Sequence, residues 1–253
     1  MIGLRIRHSL LALTFSILAS STAVFIGEGQ SAPAGPMDHD TPARPIVKFT
    51  SPESNSTYSW NSLVSYSVVV TYQGKSTEYQ EIPSNQVLLQ TTYLPDLSEI
   101  PAAANPASAP VSAGLLAIIR SNCVGCHEFK AKAMGPSFGS IAARYPNNPA
   151  TLDTLSRHIR EGSNGLWGQI SMPPHPELSE EQARAMALWI AKEAANPNVT
   201  DYVGTDGAIR MASPASPGPN AGLIVTASYT VTASSADREQ APQGHATVIL
   251  RGK

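Results

Sequence analysis

Cysteine is almost absent: the 253-residue chain holds two, Cys123 and Cys126. Two cysteines three positions apart cannot build a disulfide framework between distant segments. The fold must therefore rest on buried apolar side chains, which a chain of this length can supply. Charge is also thin. Lys, Arg, Asp and Glu make up 14% of the residues and nearly cancel, to a formal net charge of −2, so the basic stripe that nucleic-acid binding requires is missing. No internal repeat is found, and the 21 prolines and 18 glycines follow no period, which leaves turns and linkers rather than a fibrous or repeat architecture. The chain contains no H-E-x-x-H, G-x-S-x-G or P-loop on which to hang an enzyme.

What is present is concentrated. Both cysteines fall in Cys123-Val124-Gly125-Cys126-His127, which reads C-x-x-C-H, the attachment signature of a covalently bound c-type haem. Two thiolates at this spacing can add to the two vinyl groups of one porphyrin, and the next residue then sits under the ring with an imidazole nitrogen aimed at iron. A redox C-x-x-C pair expects a βαβ setting, and a structural zinc site expects a second ligand pair that this chain lacks. Haem c with its iron is the cofactor expected, and attachment consumes both thiols.

At the N-terminus, Arg5, Arg7 and His8 precede an apolar run from Ser9 to Ile26, a basic n-region followed by an h-region. Residues 1–26 are expected to direct export. Ser21, Thr22 and Ala23 offer a cleavage site, while the length of the run also suits an inner-membrane anchor formed by residues 9–26. Residues 27–45, rich in Gly, Pro and Ala, read as a flexible spacer, in which His39 between two aspartates is a solvated cluster.

From Ile46 the period changes to two. Val64, Tyr66, Val68, Val70 and Tyr72 alternate with small or polar neighbours, as do Val87, Leu89, Thr91 and Tyr93, so residues 46–95 are expected to form half-buried antiparallel strands, with others over 46–50 and 77–80. The matching half lies at the far end, over 205–253: Leu223, Val225, Ala227, Tyr229 and Val231 alternate, Ala246, Val248 and Leu250 follow, and 208–211 is an earlier candidate. Together the segments hold about seven strands, the size of an immunoglobulin-like β-sandwich, with a helical domain inserted in it or flanked by it. The stretches from Pro45 to Pro52, Gly222 to Tyr229 and Gly244 to Leu250 loosely resemble β modules that flank cytochrome domains in some exported bacterial oxidoreductases.

Between the two halves, residues 96–110 read as a Pro/Ala linker and 111–197 as helical. Ser112 caps a helix carrying Leu115, Leu116, Ile118 and Ile119 that runs into the cysteine motif. Ser137 opens a short helix through Ile141 and Tyr145, and Thr151 caps one that ends at Gly162. Ser179-Glu180-Glu181-Gln182 is a capping box opening a last helix, stopped at Asn196-Pro197.

These residues match a family. Cys123 to His127, Gly135-Pro136, Ile141 to Tyr145, Ile159 to Gly162, Trp167-Gly168, Met172-Pro173 and Leu188 to Ile190 resemble a small bacterial class I, mono-haem cytochrome c, over about residues 111–196. The resemblance implies an all-helical fold whose first and last helices cross near the haem. It implies thioether bonds from Cys123 and Cys126, His127 as proximal ligand and Met172 as distal ligand. Pro136 would orient the proximal imidazole, and Trp167 and Arg144 would reach the propionates. Met172 sits in the Pro-bounded loop Ser171 to Pro174. Its rivals are Met134, seven residues past His127, Met186, on an inward helix face, and His175. His158 reads as a surface or packing histidine, and His245 as a strand residue.

A soft, neutral thioether favours ferrous iron, so His/Met ligation raises the reduction potential relative to His/His, and six-coordinate iron leaves no site for substrate. The function expected is electron transfer rather than enzyme catalysis. An exported carrier would pass single electrons between periplasmic redox partners, a dehydrogenase or an oxidase, or would serve as the electron-accepting subunit of a dehydrogenase. Lys/Arg and Asp/Glu are nearly balanced from Val111 to Asn196, so no strong field of one sign announces the partner. Two alternatives stand beside this reading. One is a haem enzyme or sensor with an open axial position. The other is a carbohydrate- or partner-binding module carrying an accessory cytochrome, with Tyr58, Trp60, Tyr79 and Tyr93 as aromatics available for binding.

Overall fold

Nine strands and four α-helices make up residues 43–100, 110–232 and 241–253, the parts described by a computed structural model. Residues 1–42, which hold the expected export segment, the candidate anchor 9–26 and His39, lie outside the described residues. Among those described, no helix is long and apolar enough to cross a membrane. From Thr41 to Lys253 the chain forms one compact unit.

The first segment supplies β1 (Ile46–Ser51), β2 (Ser56–Tyr58), β3 (Leu63–Tyr72), β4 (Lys75–Ser76) and β5 (Leu88–Leu94). After the helices come β6 (Val199–Val203), β7 (Asp206–Arg210), β8 (Gly222–Thr230) and β9 (Gln243–Gly252). One sheet joins β1, β3 and β4, with β7 also pairing β3. The other runs β2-β9-β8-β5-β6, so that β5 of the first segment is hydrogen-bonded between β8 and β6 of the second. The period-two pattern of β3 is realised: Val64, Tyr66, Val68 and Val70 are buried and the residues between them are not. These side chains share one apolar core with Leu89, Val225 and Leu250 of the other sheet. Each side chain of this size contributes about 1.5–3 kcal/mol on burial. Trp60 and Tyr93 pack ring to ring at 6.0 Å and, with Tyr58, lie against this core, which leaves Tyr79 as the exposed member of the four aromatics.

Two strand expectations change. Residues 77–80 form a turn, in which Gln80 N donates to Thr77 O and Gln80 takes φ 59°. The hydroxyl of Thr77 accepts from Val70 N, a side-chain to backbone bond that competes with a ladder. The alternation of β8 implies one solvated face, yet nearly every residue in it is buried. Its second face lies against the helical part, where the Arg120 guanidinium donates to Thr230 O at 2.7 Å and Val111 N donates to Gln243 Oε1 at 3.2 Å.

The helices are α1 (Ala113–Arg120), α2 (Phe138–Arg144), α3 (Pro149–Glu161) and α4 (Glu180–Lys192). Ser112, Ser137 and Ser179 cap α1, α2 and α4, the last through a full capping box with Gln182. The start of α3 differs from expectation. Asn148 is its cap, its side chain accepting from Thr151 N at 3.0 Å, and Pro149 occupies the first turn, where a missing N–H costs nothing. Thr151 is inside the helix and buried. Helices α1 and α4 meet where Gly114 lies against the Ala185 carbonyl, too close for a Cβ. Ile118, Phe138, Leu155, Met186 and Trp189 form the helical core, which Leu88 of β5 joins from the β part.

Candidate functional site

The last α1 hydrogen bond, from Ser121 N to Ala117 O, is followed by Asn122 at φ 55°, a conformation that asparagine tolerates better than most residues. This reversal starts a tight 3₁₀ turn over Cys123–Gly125, in which Cys126 N and His127 N both donate to Cys123 O, at 3.1 and 2.9 Å. The turn faces Cys123, Cys126 and His127 into one cleft. Neither cysteine is in a disulfide. Burial pushes the Cys123 thiol, before any haem is attached, up to about 11.

His127 is fixed from three sides. Its Nδ1 lies 2.7 Å from Pro136 O. A carbonyl can only accept, so Nδ1 carries the proton and Nε2 keeps its lone pair. The Phe138 ring stacks on the imidazole with centroids 5.5 Å apart. Gly135 closes the third side: a Cβ there would stand 2.6 Å from His127 Cε1, so only glycine lets the ring settle.

Met172 lines the same cleft. Helix α3 ends at Gly162, and Ser163 then exchanges two backbone hydrogen bonds with Met172, at 2.9 and 3.1 Å, which pins the methionine loop to the end of the helix. The rivals divide. Met186 borders the cleft from α4 but is buried in the helical core, and Met134 is 59% exposed with its Sδ 3.9 Å from Cys126 Sγ. The His175 imidazole is paired with Glu177 at 2.9 Å and does not line the cleft.

Trp167 lines the cleft and Arg144 does not. The Arg144 guanidinium lies over the Trp167 ring at 4.7 Å and donates to Leu166 O at 2.7 Å, bracing the loop from behind. His158 does line the cleft, a site residue that the sequence reading treated as surface or packing. Its spacing of three from Leu155 on α3 was the available signal. Burial, then the neighbouring Arg157, lowers its pKa. His245 lies in β9 opposite Ser228, in the other sheet's ladder.

The cleft suits a flat apolar macrocycle carrying iron. Its walls include Ile118, Phe138, Leu155 and Ile159, Cys123 and Cys126 bring two thiols, and nitrogen and sulfur donors come from His127 and His158 and from Met134, Met172 and Met186. The donors do not suit a bare metal ion, for among the described residues no group of three or more His, Cys, Asp or Glu converges. Fold and site define a mono-haem c-type cytochrome domain.

Comparison with known proteins agrees. The family model described as cytochrome c oxidase, cbb3-type, subunit III matches residues 113–190. Cytochrome c-552 of Nitrosomonas europaea is 41% identical over 71 residues, covering 28% of this chain and 69% of that protein. Cytochrome c-551 of Azotobacter vinelandii is 43% identical over 68 residues, covering 27% and 82%. The crystal structure of the Nitrosomonas europaea cytochrome c552 aligns with 30% of this chain and 93% of its own, at 39% identity and a TM-score of 0.29. By its sequence similarity to these two cytochromes the chain belongs to the cytochrome c family, through the helical segment between its β segments, and its cofactor is haem c with iron.

Proposed function

We propose that the protein is an exported electron carrier, passing single electrons between periplasmic redox partners, with Cys123 and Cys126 forming the thioethers and His127 and Met172 the axial ligands. The observation that carries this reading is the 2.7 Å contact of His127 Nδ1 with Pro136 O, which leaves Nε2 as a donor in a cleft that Met172 also borders. Bound haem c supplies one-electron chemistry at its iron. The residues of this chain do the rest: Pro136, Gly135 and Phe138 hold the imidazole, the Ser163 ladder holds Met172, and the apolar walls exclude water so that little solvent reorganises on electron transfer. Arg144, stacked on Trp167 and bonded to Leu166 O, would hold the loop that carries Trp167 against the bound haem. With His127 and Met172 holding the iron, no position would be left for a substrate, which suits a carrier rather than an enzyme.

Residues 46–95 and 205–253 act, on this reading, as one immunoglobulin-like sandwich around the cytochrome domain of residues 111–197. The interleaving of β5 between β6 and β8 supports it. The sandwich holds the cytochrome where a dehydrogenase or oxidase can dock, and residues 1–26 carry the export signal. The test is a reduced-minus-oxidised spectrum of the exported protein, together with exposure of the ferrous form to carbon monoxide at neutral pH. A covalent haem that cycles and binds no carbon monoxide is expected. Absence of covalent haem, or ready carbon monoxide binding by the native protein, overturns the reading.

A further inference from the structure

A cavity of about 260 Å³, partly open to solvent, lies where the β part meets the helices. Asp201 of β6 forms part of one wall with Gln90 of β5, and Trp189 of α4 stands in the facing wall. Asp201 is only 7% exposed and accepts one hydrogen bond, from Gln90 Nε2 at 2.8 Å. Titratable groups stand around the cavity. Lys130, three residues beyond His127, acts on it through charge while donating to Ala194 O and Asn196 O past the end of α4. Glu193 borders the cavity and pairs with Lys192 at 3.2 Å, and Tyr202 is its neighbour on β6. β5, β8 and β9 line the cavity with Gln90, Thr226, Ser228 and Gln243, and the titratable His245 of β9 stands opposite Ser228 in the ladder.

Trp189 connects this cavity to the redox site. Its ring meets Phe138 edge-on at 5.8 Å, and Phe138 stacks on His127 at 5.5 Å. A run of packed aromatic rings thus links the cavity wall to the proximal histidine, and a charge behind such a layer is screened far less than one at the surface. Burial raises Asp201 to about 6, opposed by Gln90 and Lys130, so the carboxyl changes charge near neutral pH.

We propose that Asp201 makes the β part a proton-dependent regulator of the electron-transfer centre: when the centre gains an electron, Asp201 gains a proton from solvent through the cavity, and on reoxidation it releases that proton. One electron from the redox donor and one proton are taken up together, the iron passing from ferric to ferrous and the carboxylate to carboxylic acid, so the net charge of the site is unchanged. The inference rests on His127 as axial ligand and on the electron-transfer reading above. Asp201 is a positioning residue for charge and touches no reacting atom.

The test uses the full haem-loaded chain, whose absorption spectrum first establishes that haem is attached and cycles. Reduction potential is then measured from pH ~4 to ~8 in the native protein, Asp201→Asn and Lys130→Met. The native potential is expected to fall as pH rises through about 6. Asp201→Asn, which keeps an oxygen to accept from Gln90, is expected to lose that step. Lys130→Met removes the cation that favours the carboxylate and is expected to move the step to higher pH. Infrared difference spectra of the native protein, reduced minus oxidised, are expected to contain a protonated-carboxyl band near the midpoint pH, which tests the idea even if the Asn variant fails to fold. Superimposed potential curves for native and Asp201→Asn, or no carboxyl band, overturn the inference. A chain that carries no haem or does not cycle overturns the electron-transfer reading instead.

Discussion

Gly135 offers the sharpest mechanical test of how the proximal histidine is held. In Gly135→Ala, the new Cβ would lie 2.6 Å from His127 Cε1 and 2.8 Å from Nδ1, whereas ordinary contact begins at 3.4 Å. The imidazole must therefore retreat by roughly 0.8 Å from Gly135, which displaces Nδ1 from its 2.7 Å bond to Pro136 O. Losing that bond costs about 1 kcal/mol and the overpacking about 1–3 kcal/mol, a total of ~2–4 kcal/mol. In the ratio of folded to unfolded protein this is roughly a 30- to 900-fold loss. Denaturant unfolding of the haem-loaded protein measures the stability, and the histidine ring proton shifts of the ferrous state report whether the ring has moved. A variant within about 0.5 kcal/mol of the native protein, with unmoved ring signals, would refute the claim that Gly135 and Pro136 clamp the imidazole.

Ser179→Ala removes one half of the α4 capping box and is expected to cost about 1 kcal/mol by denaturant unfolding. Leu88→Ala deletes a residue that is 3% exposed and belongs to the helical core although it lies on β5, so a cost of about 2–4 kcal/mol is expected; a neutral result would mean that the two parts do not share a core. Asp201 contributes to pH dependence with a definite sign. Its carboxyl goes from 3.8 in the unfolded chain to about 6 when folded, so its contribution is fully present below pH 3.8 and is lost as pH rises through about 6, on the order of 3 kcal/mol. Stability measured against pH for Asp201→Asn should lack that decline relative to the native protein; parallel curves would count against the burial argument.

The parts of this molecule that were legible in the sequence are those specified locally. C-x-x-C-H announces the haem, and Ser112, Ser137 and the Ser179–Gln182 pair announce three helix starts, because each acts within one turn of chain. The start of α3 was misread for a related reason: both Asn148 and Thr151 can cap, and only Pro149 between them favours the former. Strands β2 and β6 were missed, being short and lacking a clear alternation. The two-sided burial of β8 was invisible, since alternation records one apolar face and says nothing of a polar face covered by another part of the same chain. Gln90, Thr226 and Ser228 fall on the polar side of the strand alternation and Asp201 lies in the missed β6, yet together they wall an interface cavity. His158 was set aside because its neighbour Ile159 claimed the buried face, although a cleft along α3 accommodates both.

The central claim is that His127 and Met172 close both axial positions of the iron, and the potential of Met172→Ala tests it most directly. Replacing a thioether ligand by none, or by water, removes a donor that favours ferrous iron. A redox titration of native and variant protein should find the potential of Met172→Ala lowered, with carbon monoxide binding gained by the ferrous variant alone. An unchanged potential in Met172→Ala would contradict the account.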